Sequence, residues 1–299
     1  MTAIPLVFAL LAAGIWLSAL AERFASGRRF PSGTVFAPLL QAARLLSQQS
    51  VRTEHPDGLN WVLSPIAYLT LAVAGLSVVP FAPELAVAPL DTGIVLWGAC
   101  EALTIVAVFL HGWSANSMLP LIGGYRFVAI GLPAMLLSMF VLIAAALPAQ
   151  SLSVGAIVES QRSLWNVVRQ PLGLPLFLLL GLAISLRGPM DYGDAADLSG
   201  GTAAEVSGPH RLAWGIARLA MLTAFAAMGA SVFLGGYLGP WLPGPVWLAL
   251  KTAALLLVLT WLGRNLARMP APRMMAALWL VLLPLSFLDL VIAGVEALP

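Results

Sequence analysis

Long runs of apolar residues, separated by shorter polar segments, dominate this chain from end to end. A helix that crosses a bilayer needs about 20 mostly apolar residues. Eight stretches meet that requirement, so the pattern predicts an all-α integral membrane protein with about eight transmembrane helices, in a single polytopic domain over residues 1–299. The predicted spans are Ile4–Leu20, Trp61–Phe81, Thr92–His111, Phe127–Leu147, Val168–Leu186, Leu212–Phe233, Val246–Leu262 and Met274–Val295.

Composition supports the membrane assignment and excludes several other classes. Hydrophobic residues make up 60% of the chain and charged residues only 9%, against about 25% charged in soluble domains. The net charge of +2 is too small to indicate a nucleic-acid partner. A single cysteine, Cys100, excludes an internal disulfide and thiolate metal clusters. The histidines His55, His111 and His210 lie far apart in sequence and show no metal-ligand spacing. We therefore expect no metal and no complete active site in this chain alone.

The distribution of basic residues predicts the orientation, because cytoplasmic loops of membrane proteins are enriched in Lys and Arg. Of the 15 Lys and Arg residues, all but four lie in the odd-numbered connections. Arg162 and Arg169 lie in the even-numbered connections, and Arg218 and Lys251 lie inside spans. We therefore expect both termini outside. The predicted cytoplasmic loops are residues 21–60, 112–126, 187–211 and 263–273.

The first of these loops contains a segment with helical periodicity. Leu39, Ala42, Ala43 and Leu46 recur at i, i+3, i+4 and i+7, while Arg44 lies off this stripe. The pattern predicts an amphipathic helix. Such a helix either lies in the membrane interface or packs as an ordinary loop helix on its neighbours.

Ionisable residues inside the spans are functional candidates, since a charge at bilayer depth is costly. Glu101 lies near the middle of the third span, with Thr104 and His111 on the same helical face. Its carboxyl group either relays protons or is a protonated structural group held by one hydrogen bond between helices. Lys251, in the seventh span, either snorkels to the outer interface or pairs with Asp289 of the last span.

Two further segments have a distinctive composition. The sixth predicted span is rich in alanine and glycine, which predicts a central, closely packed helix. The loop at 187–211 combines glycines with several acids and is either a solvated loop or part of a site. Its acids are Asp191, Asp194, Asp197 and Glu205.

Several segments together resemble the H-type (subunit 1) membrane protein of respiratory complex I and its relatives in energy-converting hydrogenases. The most specific is Gly112-Trp113-Ser114-Ala115-Asn116-Ser117, followed by Leu121, Gly123 and Arg126, which is similar to the second cytoplasmic loop of that family. The resemblance covers nearly the whole chain. Further matching segments are Ala21–Arg23, Leu39–Gln41, Phe233–Tyr237, Leu250–Thr252 and Leu283–Ser286, while Gln49–Val51 and Asn265–Arg268 resemble the hydrogenase-type branch.

This resemblance implies a membrane anchor and coupling subunit of a complex I-like or hydrogenase-related oxidoreductase in a bacterial inner membrane. The implied partners are peripheral redox-arm subunits of the iron–sulfur or hydrogenase-like kind and antiporter-like membrane subunits. No cofactor is implied for this chain itself, and any quinone would bind at the interface with a partner. The candidates for proton or ion coupling are Glu101, His111, Asp191, Asp194, Asp197, Glu205 and Lys251. The candidates for the quinone chamber or for docking the arm are Glu22, Arg23, Arg28, Arg29 and Arg126.

The chain departs from the pattern of that family at acidic positions. Met135 stands where the family usually has a glutamate, nine residues after Arg126, and the third cytoplasmic loop has fewer acids. These losses predict a divergent complex, in which Glu101 partly substitutes for the missing carboxyl groups. Two alternatives remain: a stand-alone secondary transporter, which usually shows an internal repeat that we do not find here, and a structural membrane scaffold without ion coupling.

Overall fold

The computed structural model describes residues 3–25, 34–194 and 200–296. Within these ranges the chain is helical and has no β-strand beyond two isolated bridges, so the predicted all-α fold is confirmed. The helices are α1 (Ala3–Ala25), α2 (Ala37–Ser47), α3 (Gly58–Ser77), α4 (Gly93–Ser114), α5 (Met118–Ala146), α6 (Val154–Ser160), α7 (Asn166–Arg169), α8 (Gly173–Ile184), α9 (Gly208–Phe233), α10 (Gly244–Asn265), α11 (Ala271–Ala277) and α12 (Leu283–Glu296).

Seven helical segments in the described part of the chain are long and apolar enough to cross a bilayer. Six of them are α1, α3, α4, α5, α9 and α10, and α5 continues into a 3₁₀ turn at Leu147–Ala149. The seventh is a continuous segment, Ala271–Glu296, formed by α11, a π-helical turn at Leu278–Leu282, and α12. Each matches one predicted span.

The fifth predicted span, Val168–Leu186, is wrong in its extent. The apolar helix here, α8, has only 12 residues, and the segment before it forms the separate single turn α7. The break falls at Gln170, whose backbone is non-helical (φ −127°, ψ 75°). Pro171 follows, and a proline disfavours helical backbone in the residue before it. The hydrophobic run is therefore long enough for a span, but the helix is not.

Two predicted loops are shorter than expected. The loop at 112–126 is almost entirely helical, because α4 continues to Ser114 and α5 begins at Met118. Pro120 does not prevent this, since proline is tolerated in the first turn of a helix, where backbone N–H groups lack partners in any case. The first loop is also shortened, because α1 continues to Ala25 and α3 begins at Gly58.

Helix α9 is the centre of the bundle. It packs against α1, α2, α3, α8 and α10. Of the most apolar 18-residue stretch of this helix, 83% is buried. Its many small side chains allow this close approach on all sides. The predicted central position of the sixth span is confirmed.

Helix α2 matches the amphipathic segment predicted in the first loop. It packs against α9 and α1, with Ala37 buried and Leu45 half-buried. Leu39, Leu40 and Leu46 are 55–59% exposed and point away from the bundle. This apolar face without a protein neighbour favours the interfacial alternative over a helix packed entirely within the protein.

Candidate functional site

Glu101 is held between α4 and α5 by two hydrogen bonds. The indole Nε1 of Trp97 donates to its Oε1 at 2.5 Å, and Oγ of Ser138 donates to its Oε2 at 2.7 Å. The residue is only 2% exposed. Thr104, on the same face, donates instead to the carbonyl of Cys100 at 2.8 Å. The bond from Trp97 lies within α4, and the bond from Ser138 is the single hydrogen bond between helices that the structural alternative expects.

His111 lies about 15 Å further along α4 than Glu101, at 1.5 Å of rise per residue, in an aromatic stack. Its ring is parallel to that of Trp214, with centroids 3.6 Å apart, and to that of His210, at 5.3 Å. The ring of Trp61 lies 4.3 Å from that of His210 and 6.4 Å from that of His111. The predicted polar face of α4 therefore separates into two sites, one around Glu101 and one around His111.

Ion pairs connect the loop at 187–211 to the helix ends around it. Arg187 pairs with Glu22, at the end of α1, and Arg218 of α9 pairs with Asp194. Arg218 also donates to the carbonyl of Leu186. Burial lowers the pKa of Arg187, and the neighbouring Glu22 opposes that shift. Glu22 and Asp194, two of the predicted candidates, therefore form ion pairs with arginines from other segments of the chain.

A third ion pair joins Asp191 to Arg268 in the connection after α10, at 3.5 Å. Nearby, the hydroxyl of Tyr192 donates to the carbonyl of Met269 at 2.6 Å. The guanidinium of Arg268 also lies 4.8 Å from the centre of the Tyr192 ring. Burial raises the pKa of Tyr192, which therefore stays a neutral donor.

Backbone contacts bring three of the predicted cytoplasmic loops together at this end. The N–H of Val51 donates to Oγ of Ser207 at 2.7 Å, and the N–H of Asp57 donates to the carbonyl of Ser114 at 2.9 Å. Glu205, the remaining acid of the described loop, accepts a bond from Oγ of Ser117 at 3.2 Å.

Gly123 explains part of the most specific sequence motif. A Cβ atom at this position would lie 2.5 Å from the backbone N of Thr202 and 2.6 Å from the carbonyl oxygen of Gly193. Real Cβ atoms do not approach backbone atoms so closely. Only glycine therefore lets α5 lie directly against the backbone of Gly193 and Thr202.

Lys251 lies at the opposite end of the bundle, and its predicted pairing with Asp289 is wrong. Its ammonium group donates to the carbonyls of Gly236 at 2.9 Å and Leu238 at 2.6 Å and lies 4.6 Å from the ring centre of Trp165. The residue is only 7% exposed, and its snorkelling to the outer interface stays a prediction. The ammonium instead caps carbonyls beyond the end of α9, where cations are favoured by the helix dipole.

The remaining described candidates lie on two helices. Arg23 lies in the last turns of α1, and Arg126 is half-buried on α5. The candidates Arg28, Arg29 and Asp197 lie outside the described residues.

The sequence did not reveal several partners of the candidate residues. Trp97 could have been recognised from the sequence as a partner of Glu101, because it lies one helical turn before that residue. The partners contributed by other helices carry none, since sequence spacing says nothing about contacts between distant segments. These partners are Ser138, Arg187, His210, Trp214 and Arg218.

The structure defines a multi-pass helical membrane protein, with a buried carboxyl group between two of its helices and ion-paired loops at one end. No group of three or more metal-ligating side chains occurs in the ranges that the structure covers. The family described as NADH dehydrogenase matches residues 2–294, and the chain belongs to this family.

The following similar proteins are named as one particular component, the H subunit of NADH-quinone oxidoreductase. The first of two such proteins in Rhodopseudomonas palustris is 34% identical over 275 residues, covering 92% of this chain and 86% of the relative. The second such protein of Cereibacter sphaeroides is 34% identical over 280 residues, covering 93% and 88%. The protein of that name in Geobacillus kaustophilus is 32% identical over 305 residues, covering 97% and 91%. The resemblance to H-type subunits is confirmed.

Proposed function

We propose that this chain is the H-type membrane subunit of a complex I-like oxidoreductase, where it anchors a redox arm and couples it to proton or ion movement. The observation that carries this proposal is the family match over residues 2–294, together with relatives named as H subunits of NADH-quinone oxidoreductase that align over most of both chains. The electron transfer itself belongs to partner subunits.

The loop-rich end of the bundle is the proposed docking platform. It holds the predicted cytoplasmic loops, and it is tied together by the pairs Glu22–Arg187, Asp194–Arg218 and Asp191–Arg268. Fixed loops suit a platform for a peripheral arm, because little conformational entropy is then lost on docking. In this proposal both termini lie outside the bacterial inner membrane, as the arginine bias predicts.

The proposed partners are peripheral redox-arm subunits at this platform and antiporter-like subunits beside the helices in the membrane. A quinone would bind where the platform meets the arm, near Glu22 and Arg23. Because Met135 replaces the glutamate expected on α5, the proton path of this chain is proposed to run through Glu101 instead.

Mild-detergent affinity purification of the tagged chain, followed by mass spectrometry, tests the assembly. We expect antiporter-like membrane subunits and iron–sulfur arm subunits to co-purify. Hydrogenase-like partners would assign the chain to the hydrogenase-related branch. A monodisperse chain without partners would overturn the proposal and favour the stand-alone transporter.

A further inference from the structure

Two histidines that lie 99 positions apart in the sequence form a stacked pair at the loop-rich end. The rings of His111, on α4, and His210, on α9, are 5.3 Å apart and inclined by only 12°. Trp214 stacks on His111 with ring centroids 3.6 Å apart, and Trp61 lies 4.3 Å from His210 and 6.4 Å from His111. The result is a packed cluster of two imidazoles and two indoles, contributed by three helices.

The ring nitrogens in this cluster lack hydrogen-bond partners among the described residues. Nδ1 and Nε2 of His111, Nε2 of His210 and Nε1 of Trp214 are all buried and unpaired. Buried polar atoms in proteins are nearly always hydrogen-bonded, since an unpaired one is costly. Four such atoms around one stack indicate a group that exchanges hydrogen bonds with small molecules such as water.

The two histidines also differ in depth, one lying beside the loops and the other inside the bundle. His111 is fully buried, whereas His210 is half-buried, in the first turn of α9 beside the first loop. Parallel stacking occupies the ring faces and leaves the nitrogens at the ring edges. A neutral imidazole has one nitrogen that accepts and one that donates, so each ring can take part in proton transfer without holding a net charge.

We propose that His111 and His210 form a proton-relay pair at the mouth of the path that leads from the loops toward Glu101. This inference rests on the proposed coupling function. In each step, a protonated water (hydronium) gives its excess proton to the accepting nitrogen of a ring and is left as neutral water, while the opposite nitrogen releases its own proton to the next water, which carries the excess proton onward. The ring ends neutral with its tautomer reversed, so no charge accumulates and no oxidant or reductant is needed.

The charged neighbours are consistent with a neutral relay. Arg218 acts electrostatically on His111, and Arg52 acts on His210. Both are cations, and a second cation in the same stack would be repelled at 5.3 Å. The carboxylate of Asp194 is paired with Arg218 and does not serve as a counter-ion for the imidazoles.

The first experiment measures acceptor reduction and proton translocation by the purified complex in proteoliposomes. We expect His111→Gln and His210→Gln to lower the rate of proton translocation by about a hundredfold, the lower end of what a positioned acid–base group contributes. The matched control is His55→Gln, at an exposed histidine in the first loop, which should translocate like wild type. In His210→Ala, added imidazole should restore translocation, because the half-buried position admits it.

Each result bears on the relay. Wild-type translocation in both Gln variants, or loss that imidazole does not restore, would overturn it. A wild-type complex that reduces its acceptor without moving protons would overturn both the relay and the proposed coupling. If wild type pumps and the histidine variants also pump, only the relay fails.

A second experiment needs no substitution and so does not depend on whether variants assemble. The full chain, labelled with ¹⁵N-histidine in lipid nanodiscs, gives three imidazole signals, and exchange of ring protons with deuterated water is followed by NMR. A relay predicts that His111 exchanges as fast as the exposed His55. Slow exchange at His111 would identify the stack as static packing and overturn the proposal.

Discussion

The two ends of α9 are both buried and polar, yet they are built from different chemical groups. At the N-terminal end, Arg218 pairs with Asp194, and His210 and Trp214 each stack with His111, with Nε2 of His210 and Nε1 of Trp214 unpaired among the described residues. At the C-terminal end, the amide of Gln161 donates to the carbonyls of Ile157 at 3.1 Å and Ser231 at 2.9 Å.

The amides at the C-terminal end satisfy several backbone groups at once. Oε1 of Gln161 accepts from the backbone N–H groups of Asn166 at 3.2 Å and Gly235 at 2.9 Å. Nδ2 of Asn166 donates to the carbonyls of Ala145 at 3.2 Å and Val232 at 2.9 Å. Such amides do not titrate, so these contacts do not depend on pH. The N-terminal end consists of groups that can gain, lose or exchange protons. One end of α9 is therefore static, and the other is suited to coupling.

The largest expected effect concerns the carboxyl group of Glu101. Glu101→Gln should abolish proton translocation while the complex still assembles, because the amide cannot release a proton. Glu101 accepts hydrogen bonds from Trp97 and Ser138. The glutamine side chain can accept only one of them, and the lost bond costs about 1 kcal/mol of stability. The measurement is proton translocation per acceptor reduced, with Asp289→Asn as a second buried acid that should leave it unchanged. Undiminished translocation in Glu101→Gln would support a structural scaffold.

The next largest effect is on stability at the N-terminal end of α9. Arg218→Leu leaves the mostly buried carboxylate of Asp194 without its partner and should cost about 3 kcal/mol. The measurement is the midpoint of thermal unfolding in mild detergent. Arg162→Leu is the control, since the Arg162–Glu159 pair is 63% and 37% exposed and exposed pairs add little. Equal losses in the two variants would contradict the distinction between a buried and an exposed ion pair.

A smaller loss is expected at the static end. Asn166→Leu removes donors from the carbonyls of Ala145 and Val232, which are buried inside the bundle, and should cost about 2 kcal/mol. The same unfolding assay reports it, and proton translocation by the assembled complex should be unchanged. A variant that assembles normally but loses translocation would show that the static end also takes part in coupling.

The smallest effect is a pH dependence at the outer end of the bundle. The hydrogen bond from Arg162 lowers the pKa of Glu159 from its ordinary value of 4.5, and Tyr237 also donates to it. A depressed pKa contributes stability above pH 4.5, and this contribution is lost as the pH falls through the lowered value. The unfolding midpoint of wild type should therefore fall with acidification in this range more than that of Glu159→Gln. Parallel pH profiles would contradict the assignment.

Much of the architecture could be predicted from the sequence, because membrane helices follow from composition. The central position of the alanine-rich sixth span could be predicted for the same reason, since small side chains pack closely. The fifth span could not, because hydropathy does not register the effect of Pro171 on the backbone of Gln170.

The candidate site was predicted less completely. Glu101 could be recognised from its depth in an apolar span, whereas Ser138, its partner on α5, carries no signal in a single sequence. The histidines illustrate the same limit. Their spacing excluded a metal motif, but His111 and His210 become neighbours only when α4 and α9 pack together. Single residues can thus be identified by their cost in the membrane, while their pairing is a property of the tertiary structure.

The short helix α8 has a consequence for the membrane voltage. Its 12 residues measure about 18 Å at about 1.5 Å per residue, against a hydrocarbon layer of roughly 30 Å. Polar groups lie at both of its ends, Asn166 and Gln170 on one side and Arg187 on the other. Where water reaches these ends, the same potential difference falls over about 18 Å, so the local field beside α8 is about 1.7 times steeper than through roughly 30 Å of lipid. A proton crossing here would gain the usual energy of about 2.3 kcal/mol per 100 mV, but within a path only a few helical turns long.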